Sequence, residues 1–166
     1  SVMIVISDST PLISLMKAVR LDILESLFGE VFIPEAVFSE LTVNPKYTAE
    51  AELISNSSFI RVVSVKEKKA VDILRRTSGL DLGESEAIVY ADDNKADVLL
   101  MDEARGRQVA KAMGLYIMGT VGVLLFAYDE KILSAADVKD ALERLKKSEH
   151  HIGEDILNYA VSRIKI

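Results

Sequence analysis

The sequence predicts an α/β protein: a parallel sheet flanked by helices on both faces, in a Rossmann-like three-layer arrangement. Three observations predict it. Short, continuous apolar runs rich in β-branched residues, beginning with Val2-Met3-Ile4-Val5-Ile6, read as buried strands rather than helices. Amphipathic helical patterns separate these runs, and such alternation implies a parallel sheet covered on both sides. Two runs deliver an aspartate, Asp8 and Asp102, to the strand-to-helix edge where ligands bind in open α/β sheets.

The elements follow in order. After the first strand, Thr10 is placed to cap a helix and Pro11 suits its first turn, where a missing N–H costs nothing. Two short helices are predicted, over 11–18 and 21–28. Val31-Phe32-Ile33 is a short strand closed by Pro34. Val37, Phe38 and Leu41 then fall at helical spacing on a helix that carries Glu40. Asn44-Pro45 breaks that helix and another resumes over 48–55. Residues 59–65 alternate as a strand, 66–76 form a charged amphipathic helix, and Gly79 lies in the turn after it. The next helix covers 83–94, with Ala87, Ile88 and Ala91 on one apolar face. Val98–Met101 is a strand, 103–113 a helix stopped by Gly114, and 115–118 a last short strand. Gly119-Thr120 opens an apolar helix over 121–128, and two amphipathic helices, about 135–146 and 154–164, finish the chain.

With 166 residues, one domain spanning 1–166 is expected, large enough to bury a core. Hydrophobic residues at 49% and charged residues at 28% are ordinary for a globular protein. No cysteine is present, which excludes disulfides and thiolate-bound zinc or iron–sulfur clusters. His150 and His151 are the two histidines, and adjacent side chains on a helix do not face one site. An intrinsic metal must then be held mainly by oxygen, which favours Mg²⁺ or Mn²⁺. No apolar stretch reaches the length of a membrane span and no basic segment precedes the first apolar run, so a cytoplasmic location without membrane attachment is expected. A net charge of −6 argues against a passive electrostatic coat on nucleic acid. It leaves a nuclease open, because divalent metal can neutralise a carboxylate cluster that would repel phosphate.

Four carboxylates stand out: Asp8, Glu40, Glu84 and Asp102. Asp8 and Asp102 end strands. Glu84 follows Gly83 in the first turn of its helix, and Glu40 has no lysine or arginine three or four residues away to pair with. Each alone has an ordinary use: Asp8 and Asp102 as helix caps, Glu84 as an acid at a helix start, Glu40 as a solvated surface residue. Together, on a parallel α/β pattern, they point to one shared site.

Four stretches carry a resemblance to a known family. They are Ile4-Val5-Ile6-Ser7-Asp8-Ser9-Thr10-Pro11-Leu12-Ile13, Ile33-Pro34-Glu35-Ala36-Val37-Phe38-Ser39-Glu40-Leu41, Leu82-Gly83-Glu84-Ser85-Glu86-Ala87-Ile88-Val89-Tyr90-Ala91, and Val98-Leu99-Leu100-Met101-Asp102-Glu103-Ala104-Arg105-Gly106-Arg107. The fourth runs on through Ala110, Gly114 and Gly119-Thr120. In this order they resemble the PIN-domain nucleases, which include the VapC-type toxins. The closest likeness is to a less characterised subgroup with a Gly-Glu-x-Glu helix start and a Gly-Thr after the last strand.

The resemblance implies a PIN-like fold and a metal-dependent endoribonuclease, with RNA favoured over DNA and a single-stranded region as substrate. It places the family's metal-binding acids on Asp8, Glu40, Glu84 and Asp102. The third position is often aspartate in PIN nucleases, so Glu84 or its neighbour Glu86 fills it. Residues two apart on a helix face different ways, and Glu84 lies nearer the sheet edge. Glu103 either assists Asp102 or starts the next helix. Thr10, Arg105 and Arg107 are candidate substrate contacts, Arg107 matching an arginine of the subgroup, with Lys111 nearby and Arg75-Arg76 as a weaker basic pair. The plain alternatives are capping for Thr10 and a solvated helix face for the arginines. No aromatic stacking row like those of sequence-tolerant single-strand binders is visible. The resemblance also implies a toxin–antitoxin role, an antitoxin protein as partner and a homodimer. Two other readings stand beside it. A magnesium-dependent phosphohydrolase on another α/β fold would share the strand-end aspartates, but Thr10 stands where its usual second aspartate belongs. The other is a catalytically silent binding or scaffold protein.

Overall fold

The computed structural model describes residues 3–148 and 152–164. Val2, at the start of the expected first strand, and His150 and His151 lie outside them. Five parallel strands form one sheet in the order β3-β2-β1-β4-β5. They are β1 (Val5–Ser7), β2 (Val31–Pro34), β3 (Ile60–Val63), β4 (Val98–Leu100) and β5 (Ile117–Met118). The helices are α1 (Ser9–Lys17), α2 (Asp22–Phe28), α3 (Glu35–Val43), α4 (Thr48–Ser55), α5 (Lys68–Ser78), α6 (Leu82–Asp93), α7 (Ala104–Ala112), α8 (Thr120–Asp129), α9 (Ala135–Lys147) and α10 (Glu154–Ile164). Asn44 breaks the chain after α3 as expected, and its side chain accepts from the Lys46 N–H to cap a single 3₁₀ turn, Pro45–Tyr47.

The strands are continuous apolar runs because both faces of the sheet are covered. Val5, Val31, Ile33, Val98 and Leu100 point to one side, where α1, α2, α8 and α9 supply Leu12, Leu24, Leu124 and Leu142. Ile6 and Leu99 point to the other, against Ala87, Ile88 and Ala91 of α6 and Ala110 of α7. The alternation follows from the two-residue period of a strand. The three-layer α/β architecture is the expected one. The strands β1, β4 and β5 end in register, Ser7 pairing with Leu100 and Leu100 with Met118.

This strand order has a functional consequence. The chain runs outward from β1 through β2 to β3, then returns and runs outward the other way through β4 to β5. Between β1 and β4 the connections leave on opposite faces, which opens a crevice beyond the carboxyl ends of the strands. The Asp8 N–H donates to the Leu100 carbonyl (3.0 Å), so the loops after both strands leave side by side at that crevice.

Candidate active site

Asp8 is the first residue beyond β1 and occupies the N-cap position of α1, yet its side chain makes no capping hydrogen bond. Thr10, expected to be the cap, lies inside the helix instead, because the helix begins at Ser9, before the proline. Its hydroxyl stands 3.5 Å from Glu103 Oε1. The Asp8 side chain is buried, and its Oδ1 has no hydrogen-bond partner. Burial pushes the Asp8 carboxyl well above its ordinary value; the Ser9 backbone pulls it back, and the charges of Glu84, Asp81 and Glu40 push it further up.

Those charges come from two helices packed on each other. Glu40 lies on the exposed side of α3, late in the helix. Partial burial raises its carboxyl, the Ser9 hydroxyl opposes that rise, and Asp81 and Glu103 add to it. Glu84 opens α6 in a reciprocal capping box: its N–H donates to Asp81 Oδ1 (2.8 Å), and the Asp81 N–H donates to Glu84 Oε1 (3.1 Å). Burial pushes the Glu84 carboxyl up to about 7, against the Asp81 backbone hydrogen bond, which lowers it; Asp81 and Glu103 contribute to the rise. Glu86 takes a different job. Its Oε1 accepts from the Ala36 N–H (3.1 Å) and satisfies a free donor in the first turn of α3. Of Glu84 and Glu86, Glu84 is the one that acts electrostatically on Asp8.

Asp102 follows β4 and is held from the α8 side. The Thr120 N–H donates to its Oδ1 (2.7 Å) and the Thr120 hydroxyl to its Oδ2 (2.6 Å). Gly119 makes this approach possible, since a Cβ there would lie 2.9 Å from Asp102 Oδ1 and 3.1 Å from Arg107 Nη1. Arg107 is half-buried, and its Nη1 donates to the Met101 carbonyl (2.9 Å). Arg105 turns elsewhere, onto the Ser78 carbonyl at the end of α5 (2.7 Å), where Gly79 closes the helix at φ +72°. Arg76 pairs with Asp72 on its own helix.

The fold thus brings Asp8, Glu40 and Glu84 together, with Asp81 and Glu103 acting on them, whereas Asp102, after the neighbouring strand β4, is held by Thr120 and is not among the charges acting on those three. Asp81 was not among the candidates from sequence. Its signal was present in the Asp-x-x-Glu pattern of a capping box at 81–84, ahead of an apolar helix. The donor set is all oxygen and suits a hard divalent cation, and the unpartnered Asp8 oxygen fits such a ligand. The carboxylates do not close into a finished cage: among the described residues no three acids or histidines converge closely enough to hold an ion together.

The chain matches the PIN domain family over residues 4–165. It is a member of the PIN-domain family. PIN domains are in general nucleases that typically use divalent metal ions, so the activity class of this PIN domain is nuclease-type. A search of curated proteins returned no match. Among the described residues of the PIN domain, no helix is long and apolar enough to cross a membrane.

Proposed function

We propose that this PIN domain is a Mg²⁺- or Mn²⁺-dependent endoribonuclease, with Asp8, Glu40, Glu84 and Asp102 as its metal-binding and catalytic acids. The observation that carries the reading is the buried Asp8 Oδ1, without a hydrogen-bond partner at the switch point of the sheet and under the charge of Glu40 and Glu84. An uncompensated carboxylate there is costly unless a cation joins it. When bound, the cation supplies positive charge to the phosphate and lowers the pKa of an attached water. The chain's own residues do the rest. Thr120 holds Asp102 in one orientation through both oxygens. Glu84, its carboxyl pushed up to about 7 by burial when no metal is bound, gives up its proton as the cation binds. Arg107 and Thr10 line the cleft beside Asp102 and are the proposed phosphate contacts. Arg105, engaged by Ser78 through one nitrogen, has the weaker claim.

The test is a titration of Mg²⁺ and Mn²⁺ into wild type and Asp8→Asn, following cleavage of a mixed pool of RNA and single-stranded DNA. Metal-dependent RNA cleavage that the variant loses by a factor of about 100 or more supports the reading, as expected when a group acting in the transition state is removed. Unchanged cleavage in Asp8→Asn overturns it. Family likeness extends the proposal to a toxin–antitoxin role, with a protein antitoxin and a homodimer. Mass in solution, alone and with the product of a neighbouring gene, tests both.

A further inference from the structure

A cleft of about 660 Å³ opens beside Asp102, between α1, β5, α8 and α10. This is the size range of sites that hold nucleotide-sized ligands. Its wall begins at the candidate active site, with Thr10, Asp102 and Arg107, and runs outward to Tyr116, Tyr159 and Arg163. The two tyrosines come from distant parts of the chain: Tyr116 stands just before β5 and Tyr159 on α10. Both are more than half exposed, at 63% and 55%, and so leave ring surface open. Tyr159 is held in place. Arg163 lies over its ring, 5.8 Å from the centroid, and donates to its hydroxyl (3.2 Å), while Asp129 grips the same guanidinium at 2.7 Å. A fixed, exposed ring beside a cationic side chain is the combination that stacks unpaired bases without reading their identity.

We propose that this cleft is a nucleobase subsite. It takes a base of the nucleotide flanking the phosphate at the acid cluster, stacked on Tyr116 and Tyr159, with Arg107 facing the connecting phosphate. The inference rests on the nuclease reading and deepens it: the substrate must be single-stranded at that nucleotide, because a paired base cannot enter the cleft. It also gives α10, absent from the acid cluster, a direct role in substrate binding.

The experiment measures the affinity of a fluorescent single-stranded RNA oligonucleotide for the Asp8→Asn protein, alone and combined with Tyr116→Ala or Tyr159→Ala. A series in which each base is removed in turn is measured alongside, and wild-type cleavage is recorded in parallel. Each tyrosine substitution is expected to weaken binding about tenfold. Removal of one particular base should cost more than either tyrosine substitution alone, and should cost less in each tyrosine variant than in the parent. Tyr116→Phe and Tyr159→Phe keep the ring and should bind nearly as the parent does. If the alanine variants and the abasic RNAs bind like their parents while wild type still cleaves, the subsite is overturned and the nuclease reading stands. If wild type neither binds nor cleaves RNA, both are overturned.

Discussion

At the scale of single residues the site is an arrangement of acids held in unfavourable protonation states. Asp8, Glu40 and Glu84 all have carboxyls raised first by burial and then by neighbouring charge, Glu84, Asp81 and Glu40 on Asp8, and Asp81 and Glu103 on Glu40 and Glu84. Such groups bind protons more tightly in the folded chain than in the unfolded one, so without metal the folded state loses stability as pH rises. For Glu84 the window runs from the ordinary glutamate value of 4.5 to about 7. In chelator, the melting temperature of wild type should fall between pH 5 and 8. Glu84→Gln should flatten that fall, because its amide keeps an acceptor for the Asp81 N–H without the charge. Saturating divalent cation should restore wild type at pH 8 and do less for the variant. A melting temperature that rises with pH in chelator would count against the cluster. Asp8 and Glu84 could be picked out from the residues because each sits next to a recognisable helix start. Asp81 is marked in sequence by the Asp-x-x-Glu pattern of a capping box, but that pattern carries no sign of a site. Here it is a cap, acting on Glu84 within the capping box and on Asp8 and Glu40 only through tertiary packing.

At the scale of elements, Thr120 does for Asp102 what no local feature of the Asp102 loop does. It ties the carboxylate to the first turn of α8, where the helix dipole also favours negative charge. Thr120→Val keeps the shape and the backbone donor but removes the hydroxyl bond, and should destabilise the fold by about 1.5–3 kcal/mol in chemical denaturation, the range for a hydrogen bond to a charged group. It should also lower the cleavage rate, whereas Thr120→Ser should retain both properties. If Thr120→Val cleaves like wild type, the clamp does not position Asp102. The Gly-Thr pair was visible in the sequence as a helix opening. Its hold on Asp102 was not, because the two lie 18 residues apart and meet only once β4 and β5 pair. Arg105 shows the reverse case: beside Asp102 in sequence, it reaches the end of α5 instead.

At the scale of the whole molecule, the crevice exists because β1 pairs with β2 on one side and β4 on the other, with helices packed over both faces. Leu99 stands at the middle of β4, 1% exposed, beside Ile6 and under α6. Leu99→Ala should cost about 2–5 kcal/mol by the cavity it leaves, read as a lower denaturation midpoint. Cleavage per folded molecule should change far less than it does in Asp8→Asn. Comparable losses of cleavage in both variants would mean that the acids depend on core packing more than on their own chemistry.

Local chemistry was enough to establish the three-layer α/β class, the order of strands and helices, and the four acids worth examining. Hydrophobic period, capping residues and strand-end aspartates act over a few neighbours and are written in the chain directly. Strand order, the turning of Glu86 toward α3, the action of the Glu84 charge on Asp8, the Thr120 hold on Asp102, and the placing of Tyr116 and Tyr159 along one cleft were settled by the assembled fold. Each depends on contacts between distant segments, and a side chain's direction in space follows from which elements pack around it.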